Sequence, residues 1–142
     1  MPAITVDDAV IDIADHGGGK PLVLLHSLLA DRSVFDRIVP RLAKSRRVIV
    51  PDLPGFGGSS PAGSTIAGIA DRIAGLLVAL RLGPETDVVG NGLGGFVAST
   101  LAIRHGARID RLVLAGTGAG FSEQGRGAFH VMAGRVREQG ME

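Results

Sequence analysis

At 142 residues the chain has the size of one domain and could bury roughly two thirds of its unfolded surface. Its formal charge of +1 sets up no field to gather nucleic acid or an anionic membrane, so a small molecule or a protein is the expected partner. The lack of cysteine removes disulfide and thiolate chemistry and suits the cytoplasm, and 22 glycines among abundant Val, Ile and Leu fit parallel strands alternating with helices.

The start, "MPAITVDDAVIDIADH", lacks a basic stretch followed by an apolar one, so no signal peptide is expected. "AVIDIADHG" predicts a strand closed by a turn at Gly17 to Gly19, and "PLVLLH" is an apolar run of the kind buried on both faces. Ser33 is placed as the cap of a helix over "VFDRIVPRLAK", which Pro40 should interrupt and restart, with Lys44, Arg46 and Arg47 as a solvated helix end. "RVIVPD" predicts the next strand, and "LPGFGGSSPAG" is loop. From Ser64 or Thr65 as cap, Ile66, Ile69, Ile73, Leu76, Leu77 and Leu80 recur at helical spacing up to a stop at Gly83-Pro84. Asp71 and Arg72 keep this segment from reading as a membrane span. "TDVVG" predicts a strand, "LGGFVASTLAIRHG" a helix ended by Gly106, and "IDRLVLAG" another strand. The alternation implies an α/β fold, a mostly parallel sheet with helices on both faces. The final stretch from Phe121 is more polar and weakly helical, and breaks the rhythm.

"VVGNGLGG" fits two motifs. As G-x-G-x-x-G, Gly90, Gly92 and Gly95 would cradle a dinucleotide pyrophosphate. That motif also needs a carboxylate at the carboxyl end of the next strand, and Asp110 has the right separation but opens "IDRLVLAG" at the opposite edge. As G-x-S-x-G, Gly90, Gly92 and Gly94 frame a catalytic elbow without its serine. No cofactor and no metal are called for.

The three stretches "LLHS", "DLPGFGGS" and "VVGNGLGG", in this order and spacing, resemble the α/β-hydrolase fold family over nearly the whole chain. The resemblance implies about six of eight strands of that fold, with residues 1–120 the N-terminal part of the core and 121–142 the beginning of a lid or cap segment. It places the backbone N–H groups of Leu28 and Leu93 in an oxyanion hole. His26 would brace its loop, Ser27 stands where the family usually has glycine, and Asn91 and Asp52 would support the pocket. "HSL" followed by a small residue and an acid is similar to the enol-lactonase branch, which implies an ester or lactone substrate such as 3-oxoadipate enol-lactone, while "DLPGFGGS" is equally similar to esterases, carbon–carbon bond hydrolases and epoxide hydrolases.

Gly92 stands in the nucleophile's place. The acid and histidine of the family's triad come after later strands, and His16, His26, His105 and His130 read as structural or solvated; Ser122 and Glu123 form no relay without a histidine. The chain is therefore expected to be inert alone, as the N-terminal portion of a serine-type hydrolase acting on an ester or lactone. Two alternatives stay open. One is a non-catalytic ligand-binding or partner protein with a hydrolase-like fold. The other is one chain of a two-chain hydrolase, in which a complementary chain supplies what a C-terminal segment otherwise would.

Overall fold

Asp7 and Asp8 form the tight turn of an N-terminal hairpin, with Asp7 at a positive φ of 51°. Strand β1 (Ala3–Val6) thereby pairs antiparallel with β2 (Ala9–Gly17). Four further strands complete the sheet: β3 (Pro21–Leu25), β4 (Arg47–Pro51), β5 (Asp87–Asn91) and β6 (Arg111–Ala115), in the spatial order β1-β2-β4-β3-β5-β6. The neighbours β4, β3, β5 and β6 are mutually parallel, and β2 meets β4 antiparallel. The computed structural model describes residues 2–61 and 65–140.

The period-two alternation of β3 divides the core. Val23 and Leu25 face one side with Ile49 and Val88, where α2 (Ile66–Ala79) and α3 (Leu93–His105) cover them with Ile69, Ile73, Leu77, Val97 and Leu101. Leu22 and Leu24 face the other side with Val48 and Val50, against Phe35 and Val39. Helices therefore lie on both faces, and the fold class is the expected α/β one. The last helix, α4 (Glu123–Gln139), buries none of its residues.

Several local readings change. β1 was not anticipated as a strand. The helix expected from Ser33 begins instead as a 3-10 turn, Arg32–Phe35, and the restart expected at Pro40 is the single-turn α1 (Val39–Leu42). The cap of the 3-10 turn is Asp31, which accepts from the Ser33 N–H at 2.8 Å, so the turn starts two residues before the serine expected to cap it. Thr65 caps α2 by accepting from the Gly68 N–H at 3.0 Å; Ser64 lies outside the described residues. The same helix ends before Gly83-Pro84, where Arg81 turns to a φ of 54°. Ser122, considered for chemistry, caps α4 through the Gly125 N–H at 3.1 Å, with Glu123 in the first turn.

The starts of the parallel strands are tied by charge. Lys20 lies 3.0 Å from Asp87 and 2.6 Å from Asp110, while Arg46 donates to Asp87 at 2.7 Å. Asp110 thus sits at the amino-terminal edge of the sheet, away from the glycine loop after β5, and is unable to hold a ribose there.

Candidate active site

β5 passes into α3 through Gly92, whose φ of 54° and ψ of −117° lie in a region that side chains tolerate only under strain. The turn is pinned from both sides. Gly92 donates to the Ala115 carbonyl at 3.0 Å, and its own carbonyl accepts from the Gly95 N–H at 2.9 Å and, more weakly, from Phe96 at 3.3 Å. A Cβ at Gly90 would run into the Gly94 carbonyl, and one at Gly94 into the Leu25 carbonyl. Glycine at 90 and 94 is what lets helix, strand and loop approach so closely.

The carboxyl ends of β3, β5 and β6 open into a cavity of about 710 Å³. Four of the residues singled out from the sequence meet there: Ser27, Leu28, Gly92 and Leu93. Neither the Leu28 nor the Leu93 backbone N–H donates to another described residue, and both residues line the cavity. Ile66, Phe96, Thr117, Phe121 and Phe129 complete much of the wall, and sequence reasoning did not assign them. The signal available was "GTGAGF", the loop leaving the carboxyl edge of β6. Among the described residues, the side chains that line it are apolar apart from the hydroxyls of Ser27 and Thr117, and none is charged. The Thr117 Oγ1 is buried without a hydrogen-bond partner among the described residues.

Ser27 matters most to residue 92. A Cβ built on Gly92 would overlap the Ser27 Oγ and lie only 3.0 Å from the Ser27 Cβ. The serine side chain therefore fills the space into which a residue-92 side chain would project.

His26 lies beneath the cavity, fully buried, and does not line it. Its Nε2 accepts from the Leu53 N–H at 2.9 Å, which leaves the ring proton on Nδ1, donated to the Ser27 carbonyl at 2.9 Å. Phe56 packs edge-on against the ring at 5.4 Å. The imidazole thus joins the loop after β3 to the loop after β4, with both nitrogens engaged. Asn91 ends β5 beside Ala115 and sits outside the cavity lining.

Asp52 also stands apart, on a second, polar cavity of about 460 Å³. Its carboxylate accepts from the Arg32 backbone N–H at 2.7 Å, the Arg32 guanidinium at 2.7 Å and the Gly58 N–H at 2.9 Å. The same guanidinium reaches Asp12 at 2.5 Å, and Asp12 and Asp52 together push the Arg32 pKa further up. This network organises the "DLPGFGG" loop and offers no proton to the first cavity. The remaining histidines are elsewhere: His105 bonds Asp71 at 2.7 Å on the surface, His130 is exposed on α4, and His16 lines the second cavity.

The alpha/beta hydrolase fold family matches residues 20–137. Over 112 residues the chain is 42% identical to the 2-hydroxymuconate semialdehyde hydrolase of Pseudomonas sp. (strain CF600), a match that covers 75% of this chain and 39% of that protein. Among solved structures it resembles the enol-lactonase from Burkholderia xenovorans LB400, at a TM-score of 0.88 and 29% identity over 99% of this chain and 55% of that one. A thermophilic esterase from Thermogutta terrifontis follows at a TM-score of 0.84 and 33% identity, covering 98% of this chain and 54% of the esterase. The chain therefore spans about two fifths of the curated relative's length and about half of each of these structures. No helix among the described residues is long and apolar enough to cross a membrane. Strand order, the positive-φ turn between β5 and α3, and the family match converge, and the chain belongs to the α/β-hydrolase fold family.

Proposed function

We propose that this chain is the N-terminal part of a serine-type hydrolase of carboxylic esters or lactones, silent as it stands because position 92 carries no nucleophile. The supporting observation is the positive-φ Gly92 at an apolar cavity that Leu28 and Leu93 also line, with backbone N–H groups that have no partner among the described residues. In this reading the substrate carbonyl lies over Gly92 and its oxygen meets those two N–H groups. They would stabilise the oxyanion of a tetrahedral intermediate once a hydroxyl attacked. Glycine holds the elbow conformation without strain but supplies no Oγ. Losing the serine of a triad lowers kcat by about six orders of magnitude, and binding with an oxyanion hole retains roughly 10³ to 10⁴ over water. The triad's acid and histidine would come from a C-terminal segment, with 121–140 as the start of a lid.

The test uses the longest natural form of the protein. Gly92→Ser is made alone and together with Ser27→Gly, which clears the space at residue 92, and each is assayed on an aryl ester and an enol-lactone. Hydrolysis by either variant, well above the unaltered protein, is expected. Two inactive but folded variants would sink the reading.

The non-catalytic alternative makes a different prediction for the same cavity, whose polar side chains among the described residues are the hydroxyls of Ser27 and Thr117. A ligand-binding protein of this fold predicts tight binding of a neutral ester with no conversion in any variant.

A further inference from the structure

The loop that carries the Leu28 N–H is pinned at both ends and strained in the middle. At its near end the Nε2 of His26 accepts from the Leu53 N–H at 2.9 Å, and the Nδ1–H of the same ring holds the Ser27 carbonyl at 2.9 Å. Leu28 and Leu29 then form a turn in which Leu29 takes a φ of 57°. The left-handed region is costly for any residue with a Cβ, and Leu29 is 67% exposed, so its side chain gains little packing in return. Such a conformation persists only where its surroundings impose it.

The far end of the loop supplies that constraint. The Arg32 backbone N–H donates to Asp52 at 2.7 Å, and one guanidinium nitrogen, Nη1, reaches both Asp52 at 2.7 Å and Asp12 at 2.5 Å. The two carboxylates are themselves hemmed in. Asp52 is buried and also accepts from the Gly58 N–H at 2.9 Å, a Cβ at Gly57 would collide with its carboxylate, and one at Gly58 would collide with that of Asp12. The Asp52 N–H bonds the Asp12 carbonyl at 2.9 Å, which joins the acids through the backbone as well as through the arginine. Arg32 is thus attached to β2 and to the end of β4, one turn of chain away from Leu29.

We infer that Arg32 is a positioning residue for the Leu28 N–H: clamped between Asp12 and Asp52, it imposes the left-handed turn at Leu29 that orients this N–H beside the cavity. Arg32 lines the second cavity and not the first, so it acts through the loop backbone alone. That the orientation serves a carbonyl rests on the oxyanion-hole reading; the clamp and the strained turn do not depend on it.

Backbone amide relaxation, measured by NMR on the longest natural form of the protein, tests the clamp. In Arg32→Met the order parameters of Leu28 and Leu29 should fall from about 0.85 to below about 0.6, while Leu93 on α3 stays rigid. Changes confined to residues 52–59, with Leu28 and Leu29 as rigid as before, would overturn the inference and leave Arg32 a brace of the "DLPGFGG" loop. Should Arg32→Met not fold, Asp12→Asn removes one charge of the clamp and leaves Asp52 bonded. It should give a smaller fall at the same two amides, and no fall there overturns the inference equally.

A thermal double-mutant cycle with Leu29→Gly tests the strain. Glycine takes the left-handed turn freely, so Leu29→Gly should raise the Tm by a few degrees while Arg32 enforces the turn, and lose that gain once Arg32→Met or Asp12→Asn lets the turn relax. An equal gain in both backgrounds, or none in the unaltered protein, would show that Arg32 holds no strained turn. Titration with 3,4-dihydrocoumarin, an aryl lactone, then tests the link to a ligand. Arg32→Met, or Asp12→Asn in its place, should weaken its binding by up to roughly three- to tenfold, the worth of one hydrogen bond, and unchanged affinity would overturn that link. A lactone that shifts neither the Leu28 nor the Leu93 amide of the unaltered protein would sink the oxyanion-hole reading, while the relaxation result still decides whether Arg32 positions Leu28.

Discussion

β3 and β6 are strands of equal length, both parallel to β5 and both rich in Leu and Val, yet they live in opposite surroundings. Every residue of β3 is buried, whereas β6 leaves Val113 54% and Leu114 44% exposed. Composition is nearly the same, so position makes the difference. β3 has a strand on each side and helices over both faces; among the described residues β6 pairs with β5 alone, and α4 beyond it buries none of its residues. The cavity joins the two regions. Its floor, Ser27, Gly92 and Leu93, grows from the closely packed ends of β3 and β5, and its wall, Thr117, Phe121 and Phe129, comes from the β6 side.

The contrast breaks most visibly under truncation. Leu25→Ala removes a fully buried side chain from between β5 and α3 and should cost about 2–5 kcal/mol, while Leu114→Ala in β6 should cost less than about 1 kcal/mol. Urea unfolding of the two variants measures both, and equal losses would show that β6 is as well supported as β3. Gly94→Ala tests the floor more directly, since its Cβ meets backbone rather than a side chain that can turn aside. A cost of about 1–3 kcal/mol is expected, together with weaker ligand binding because Leu93 moves with the elbow.

The buried region was also the legible one. "PLVLL", "RVIV" and "DVVG" announce their strands by apolar runs that nothing else explains, and the helical stripe from Ile66 to Leu80 announces the cover. β1 was hidden because "AITV" is short and runs into Asp7-Asp8, which reads as a charged start until Asp7 is seen turning a hairpin at positive φ. Asp31 displaced Ser33 as cap because both residue types suit that role and only backbone geometry chooses between them. At the site, Gly92 could be read as an elbow because the elbow is a local motif. Its relation to Ser27 could not, since it depends on where the side chain of a distant loop points. Phe121 and Phe129 escaped for the same reason: each joins the wall through an aromatic chain from Phe96, with centroids 5.2 Å and then 4.8 Å apart, that no local spacing encodes.

The strand starts give an intermediate effect that depends on pH. Burial would raise the Asp87 pKa, but hydrogen bonds from Lys20 and Arg46 outweigh it and hold the carboxyl below its usual value. A carboxyl depressed in the folded state contributes fully above its unfolded pKa of about 3.9 and loses that contribution as the pH falls toward the folded value. Stability should therefore decline below about pH 4, and Asp87→Asn should flatten that acid limb while costing on the order of 1–2 kcal/mol at neutral pH. An unchanged acid limb would mean that the Lys20–Asp87–Arg46 cluster is not what ties β3, β4 and β5 at this edge.

The smallest effect bears on whether α4 shares the stability of the sheet. Gly134 lies inside α4 with no atom within 4 Å of a Cβ built there, so Gly134→Ala meets no clash and gains the difference in helix propensity, about 0.5–1 kcal/mol. Where that gain registers depends on coupling. α4 is held through Phe121 and Phe129 and buries none of its residues, so it should open without unfolding the sheet. Hydrogen exchange should then show amide protection within α4 rising roughly two- to fivefold, since each 1.4 kcal/mol is tenfold, while the urea midpoint barely moves. A midpoint that rose by the full amount would instead place α4 in the same cooperative unit as β3. The cavity wall would then be as firm as its floor, and the pocket far more selective in shape than the burial of its two halves implies.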